Sequence, residues 1–241
     1  MLHKTRGIVI HFTNYSESSV VAKVYTEAFG IQSYLINSVR SKKGKVKQNM
    51  LQPLTLLNLV VYHKDRPGLQ RISEINLHSN LNNIHLDIRK SALTIFLAEF
   101  LNKTLHEEEA NPELFEFLIQ HILLLNELEE EISLFHLHFM LGLTKFLGFL
   151  PGGIYSETNK YFDLKEGIFV PILPTHSGFI KDSLAKEFSE LLLAESGDLK
   201  HISLSKNHKK DLLSAILSYY HHHISGFGEM KSLSILEEIF N

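Results

Sequence analysis

The run Val20-Val21-Ala22-Lys23-Val24-Tyr25-Thr26 and the run Ile31-Gln32-Ser33-Tyr34-Leu35-Ile36-Asn37-Ser38-Val39 are both β-rich, and Gly30 separates them. They sit in the middle of a series. Arg6 to Phe12 precedes them, across the turn-forming Asn14-Tyr15-Ser16-Glu17-Ser18, where Asn and Ser side chains cap their own backbone. Leu56–Tyr62 and Leu69–Leu77 follow, separated by Arg66-Pro67-Gly68. Five short strands with turn signals in the first 80 residues predict a small all-β barrel or sandwich.

Beyond about residue 85 the period changes from two to that of a helix. Leu93, Phe96, Leu97, Phe100 and Leu101 form one helical face. Asn111-Pro112-Glu113 opens the next helix, with Asn as cap, Pro at the first helical position and Glu at the positive end of the dipole. A third helix covers about Ile132–Phe149 and stops at Leu150-Pro151-Gly152-Gly153. Further helices are expected over 181–195, 206–224 and 232–240, with Ser205 capping the middle one. Between the third and fourth, residues 151–179 read as a β insertion. There Tyr161-Phe162-Asp163-Leu164 and Ile168-Phe169-Val170 flank Lys165-Glu166-Gly167 as a hairpin. The expected division is a β domain over 1–80 and a helical domain over 81–241, the latter folding without the former.

Composition narrows the function. Of 241 residues, 44% are hydrophobic and 21% charged, which argues for a packed chain over wholesale disorder. The absence of Cys excludes disulfides, Cys-based zinc sites, iron–sulfur clusters and thiol nucleophiles. The most apolar stretch, Ile132 to Leu150, carries His136, His138 and Lys145 and reads as a packed helix, so no membrane span is expected. Met1 to Arg6 leads into a short alternating segment with no long apolar run, which suits a soluble, cytoplasmic protein.

The net charge of −3 conceals an asymmetry. Residues 1–80 hold seven Lys and four Arg against four acids, a net of +7, and the remainder carries −10. A basic module for a polyanion joined to an acidic module follows from that split. The cations concentrate in Arg40-Ser41-Lys42-Lys43-Gly44-Lys45-Val46-Lys47, five in eight residues without an acid. Such a cluster gains affinity for nucleic acid by releasing condensed counterions. Strand alternation places Lys23 with Tyr25 on one face, and Tyr34 with Gln32, Ile36, Ser38 and Arg40 on another. Basic and aromatic residues interleaved on a small barrel suit a single-strand binder, whose cations track phosphates while rings stack on bases. Each Tyr also fits a place in the barrel core. The predicted DNA-binding set is Arg40, Lys42, Lys43, Lys45 and Lys47 with Lys23, Tyr25, Tyr34 and Arg6.

No catalytic residue or cofactor is expected, because no Ser/His/Asp signature, Walker-type loop or dinucleotide fingerprint is present. Nor is a metal. His136 and His138 diverge by roughly 200° on a helix, and His221, His222 and His223 splay around theirs.

The chain resembles the RecO family of bacterial DNA repair and recombination proteins. The likeness is carried by Lys4-Thr5-Arg6-Gly7-Ile8-Val9, Tyr15-Ser16-Glu17-Ser18, Val24-Tyr25-Thr26-Glu27 with Gly30, Arg40-Ser41-Lys42-Lys43 and Leu51-Gln52-Pro53-Leu54-Thr55. It continues in Leu97-Ala98-Glu99-Phe100, Asn111-Pro112-Glu113-Leu114-Phe115 and Leu147-Gly148-Phe149-x-Pro151, and is thin beyond residue 151. The resemblance implies an α+β protein, an N-terminal five-stranded OB-fold barrel followed by a helical domain. It also implies a non-enzymatic mediator that binds single- and double-stranded DNA and anneals complementary strands without ATP. With RecR such a mediator assists RecA loading on DNA covered by the single-stranded DNA-binding protein SSB. Two departures stand out. Many members carry a four-Cys zinc module after the Leu-Gly-Phe/Tyr-x-Pro element, and Asn37-Ser38 replace a frequent Lys-Gly before the basic segment. SSB presents an acidic tail, so the −10 charge predicts weak tail binding. The residues alone also fit an OB-fold RNA- or ribosome-associated binder, or an interaction scaffold with an incidental basic loop.

Overall fold

The computed structural model describes residues 1–37, 39, 46–64, 68–129 and 132–240. Five strands, β1 (Leu2–Asn14), β2 (Val20–Thr26), β3 (Gly30–Ile36), β4 (Leu56–Tyr62) and β5 (Gln70–Leu77), close into a barrel in the order β1-β2-β3-β5-β4. Only the β3–β5 junction is parallel. This is the expected five-stranded OB-fold barrel. Its closure depends on β1, whose first half pairs with β4 from Leu2 to Ile8 while its second half pairs with β2 as far as Asn14. Where the two halves meet, a Cβ on Gly7 would lie 2.7 Å from Val24 Cγ1 and 2.9 Å from Leu59 Cδ1, so the crossing has no room for a side chain. A register shift between Val9 and His11 then bends the strand.

The barrel interior is filled by Val9, Val20, Ala22, Val24, Tyr34, Ile36, Leu57, Leu59 and Val61, with Leu51 arriving from a 3₁₀ turn over Gln48–Leu51. These residues alternate along each strand, which is why the pattern was readable. β3 is shorter than the predicted 31–39. It ends at Ile36 because Asn37 turns to meet Ser19, whose Oγ lies 3.1 Å from Asn37 Oδ1.

Three helices follow: α1 (Asn82–Leu86), α2 (Ile88–Thr104) and α3 (Pro112–Glu127). Leu93, Phe96, Leu97, Phe100 and Leu101 of α2 are all buried, and Asn111 caps α3 by accepting from the Leu114 amide at 3.0 Å. By packing, α2 and α3 go with the barrel: the compact units are residues 1–127 with 230–239, and residues 128–229. The reason lies on the barrel wall. Tyr25 points outward from β2 yet is only 3% exposed, because its ring stacks on Phe115 of α3 at 6.2 Å. α2 and α3 thus cover the outer wall of the barrel within the first compact unit.

The second unit is built around α4 (Ile132–Leu147), buried from Leu134 to Leu137 and from Phe139 to Leu141, which accounts for the apolar run. Among the described residues no helix is long and apolar enough to cross a membrane. The predicted hairpin is present as β6 (Tyr161–Asp163) and β7 (Ile168–Val170), and a third strand, β8 (Phe179–Ile180), joins the other edge of β6. Then come α5 (Asp182–Leu193) and α6 (Lys206–His223), with Ser205 capping α6 by accepting from the His208 amide. The insertion is held by aromatic packing, Phe162 on Phe188 at 4.5 Å and on Phe169 at 4.9 Å. It is also held by Asp163, which accepts from the Lys165 and Glu166 amides through Oδ1 and meets His176 Nε2 at 3.1 Å through Oδ2. A four-Cys zinc module has no donors in this chain. Among the described residues no three His, Asp or Glu side chains gather as metal ligands.

The last helix, α7 (Leu233–Phe240), begins back on the first unit. Glu99 of α2 secures it, accepting from the Lys231 amide at 2.8 Å, the Ser232 amide at 2.7 Å and Ser232 Oγ at 2.5 Å.

Candidate nucleic-acid interface

The OB barrel presents two kinds of surface to an oligonucleotide, the outer face of strands 2 and 3 and the loops at its rim. The strand face is partly covered here. Lys23 sits on the outer face of β2, and its Nζ donates to the Asn102 carbonyl near the end of α2 at 3.3 Å. Burial lowers its pKa. Tyr25 is covered by Phe115, and burial, with the charge of Glu107, pushes its phenol up to about 12. Tyr34 is on the other side of the wall. It pairs in register with Ala22, is fully buried among the interior side chains, and has its pKa raised well above the ordinary value by desolvation. Lys23, Tyr25 and Tyr34 therefore do not share a face, and neither Tyr ring is open to a base. Both take the core role that their spacing also allowed.

Arg6 is engaged with protein partners. Its Nε and Nη2 donate to the two oxygens of Glu27 at 2.9 and 2.8 Å, Nη2 approaches Glu116 at 3.5 Å, and the guanidinium lies 5.1 Å from the centre of the Phe115 ring. That arrangement ties β1 to α3.

The rim has a different character. The β1–β2 turn is closed by Tyr15 and Ser16 amides donating to the Ser19 carbonyl at 3.0 and 3.1 Å. The same turn grips the root of the basic segment. The Val39 amide donates to the Ser18 carbonyl at 2.9 Å, and Ser19 contacts Asn37. Arg40, Lys42, Lys43 and Lys45 lie outside the described residues. Lys47 is described, exposed, and immediately precedes the 3₁₀ turn. The β4–β5 connection reaches the same end. β5 starts beside β3, with Tyr34 opposite Gln70 and Leu35 opposite Arg71, and Gln70 closes the connection through hydrogen bonds with the Lys64 amide and carbonyl at 3.2 and 3.0 Å. Two connections and the root of the basic segment thus converge at the end of β3.

Pairing register defines the outer surface there. Thr13 lies opposite Val21, Val21 opposite Leu35, Leu35 opposite Arg71, and Arg71 opposite Tyr62, so the five form one continuous row across the sheet. Arg71, Tyr62 and Lys64 are exposed, as is Tyr15, two residues beyond Thr13. These residues were not singled out from sequence. Their signal was their position, flanking the Arg66-Pro67-Gly68 and Asn14–Ser18 turns, and the register that joins them cannot be read from spacing.

The family model described as recombination protein O, N terminal, matches residues 1–81, and that described as recombination protein O, C terminal, matches residues 85–233. The chain is similar to the DNA repair protein RecO of Azobacteroides pseudotrichonymphae, 35% identical with 100% of both chains covered. It is 33% identical to that of Flavobacterium psychrophilum over 99% of both chains, and 34% identical to that of Bacteroides fragilis over 100% of both.

Proposed function

The chain belongs to the RecO family of DNA repair proteins, and from that premise we propose that it is a non-enzymatic recombination mediator of the bacterial cytoplasm and nucleoid that binds DNA at the barrel rim. The observation that carries this reading is the convergence of the β1–β2 turn, the β4–β5 connection and the root of the segment 40–47 at one end of a barrel whose chain is net +7. Arg40, Lys42, Lys43, Lys45 and Lys47 would meet phosphates there.

Annealing follows from the same charges. Two complementary strands repel each other through their phosphates, and a cationic rim that neutralises part of both lowers that barrier. Base pairing then supplies the driving force, so no nucleotide hydrolysis is required. RecR and SSB are the partners expected of a mediator that assists RecA loading. For the acidic SSB tail the net charge of −10 over residues 81–241 slows encounter, and two cations there are already engaged, Arg89 with Asp87 at 2.8 Å and the buried Lys90 with its Nζ on the Asn126 carbonyl. Tail binding is accordingly weak in this reading.

The test is fluorescence-monitored annealing of complementary oligonucleotides without ATP, with RNA as competitor. Acceleration that falls with added salt and resists RNA supports the reading. Preferential capture by RNA would favour an RNA-binding role instead.

A further inference from the structure

We propose that Tyr15, two residues past the Thr13 end of the outer row, and Tyr62, at its other end, are base-stacking contacts, and that they give the rim its preference for single strands over duplex. The inference rests on the reading of the rim as a DNA interface and adds to it a path and a selectivity.

Tyr15 is 63% exposed and Tyr62 44%. Among the described residues neither ring packs on another aromatic ring or offers its hydroxyl to a polar partner. Two large amphipathic rings are left facing solvent, Tyr15 just beyond the end of β1 and Tyr62 at the end of β4, while the other aromatic residues of the barrel strands are covered. The backbone under Tyr15 is also fixed, since its amide and that of Ser16 share the Ser19 carbonyl, and the turn is tied onward to Val39. A ring on a closed turn has little left to order on binding.

Between them the row supplies what a single strand needs. Val21 and Leu35 are partly buried apolar residues, and Arg71, directly opposite Tyr62, is an exposed cation. From β1 across β2, β3 and β5 to β4 the row follows the closed wall through four strand steps, a path of roughly 19 Å. That length suits a few nucleotides, the lower end of the site size of one OB fold. Stacking requires an unpaired base face. A duplex hides its faces and can use only the cations.

The experiment compares Tyr15→Ala, Tyr62→Ala and the double variant with the wild type, reading affinity for a fluorescent oligothymidylate and for a duplex of equal length. Each single variant should lose between about fivefold and a hundredfold on the single strand, and duplex affinity should hold within about twofold. Tyr→Phe at either position should restore single-strand binding, because the ring and not the hydroxyl carries the contact. Circular dichroism checks that the fold is retained. Equal losses on both substrates, or unchanged single-strand affinity in the double variant, would overturn this inference alone. A wild type that binds neither substrate in a salt-sensitive way would overturn the rim interface with it.

Discussion

Arg6 and Glu27 are joined by two parallel hydrogen bonds, Nε to Oε2 at 2.9 Å and Nη2 to Oε1 at 2.8 Å, over the face of Phe115. The fork geometry is what guanidinium and carboxylate do best. It makes a basic residue of the first strand a structural tie. Because both side chains are about one-third exposed, the pair contributes at the upper end of the surface range, with the ring contact in addition. Arg6→Ala should cost about 1–2 kcal/mol in chemical denaturation and leave the salt dependence of DNA binding unchanged.

The same pair predicts a pH effect of definite sign. The hydrogen bond from Arg6 holds the Glu27 carboxyl below its ordinary value of 4.5. A depressed folded pKa means the contribution is complete above the ordinary value and is lost as pH falls through the folded one. The melting-temperature difference between wild type and Glu27→Gln should therefore be constant near neutrality and shrink below about pH 4. A difference that grew on acidification would contradict the assignment.

Gly30 has a positive φ of 59°, and a Cβ there would lie 2.5 Å from the Glu107 carbonyl oxygen and 2.4 Å from that of Glu109. The loop after α2 is seated directly on this residue, with the Ile31 amide donating to the Glu107 carbonyl at 3.0 Å. Backbone strain and overlap act together, and the obstacle is backbone that cannot rotate away. Gly30→Ala should destabilise by about 2–4 kcal/mol, measured by urea unfolding, whereas Gly68→Ala, with open space around it, should cost less.

The division of the chain makes a fragment prediction. Residues 81–241 carry Phe115 without Tyr25 and the Glu107 loop without Gly30, so α2 and α3 lose their apolar floor. Circular dichroism should show this fragment melting with little cooperativity and binding a hydrophobic dye. A sharp two-state transition would mean that the helices pack equally well without the barrel.

The barrel was legible because its interior residues alternate along strands bounded by Asn, Ser, Gly and Pro, a period that needs only neighbours in sequence. The caps of α3 and α6 were legible for the same reason. What sequence left open was everything set by distant partners. Alternation put Lys23 with Tyr25, but only the β2–β3 register, Ala22 opposite Tyr34, shows that Tyr34 points inward. Phe115, 90 positions from Tyr25, decides that an outward ring is buried. β8 is two residues long and has no period to detect. The outer row is invisible in spacing because Arg71 meets Leu35 only through the parallel β3–β5 junction, which then brings Tyr62 in from β4.

The claim that cations of the segment 40–47 meet phosphates is tested most directly by replacing Lys42, Lys43, Lys45 and Lys47 with Ala and titrating single-strand binding against salt. Each phosphate contact contributes about 0.7 to the logarithmic slope, so losing four should flatten it by up to ~3 while thermal stability barely changes. An unchanged slope in a folded quadruple variant would contradict the account and place the DNA elsewhere on the chain.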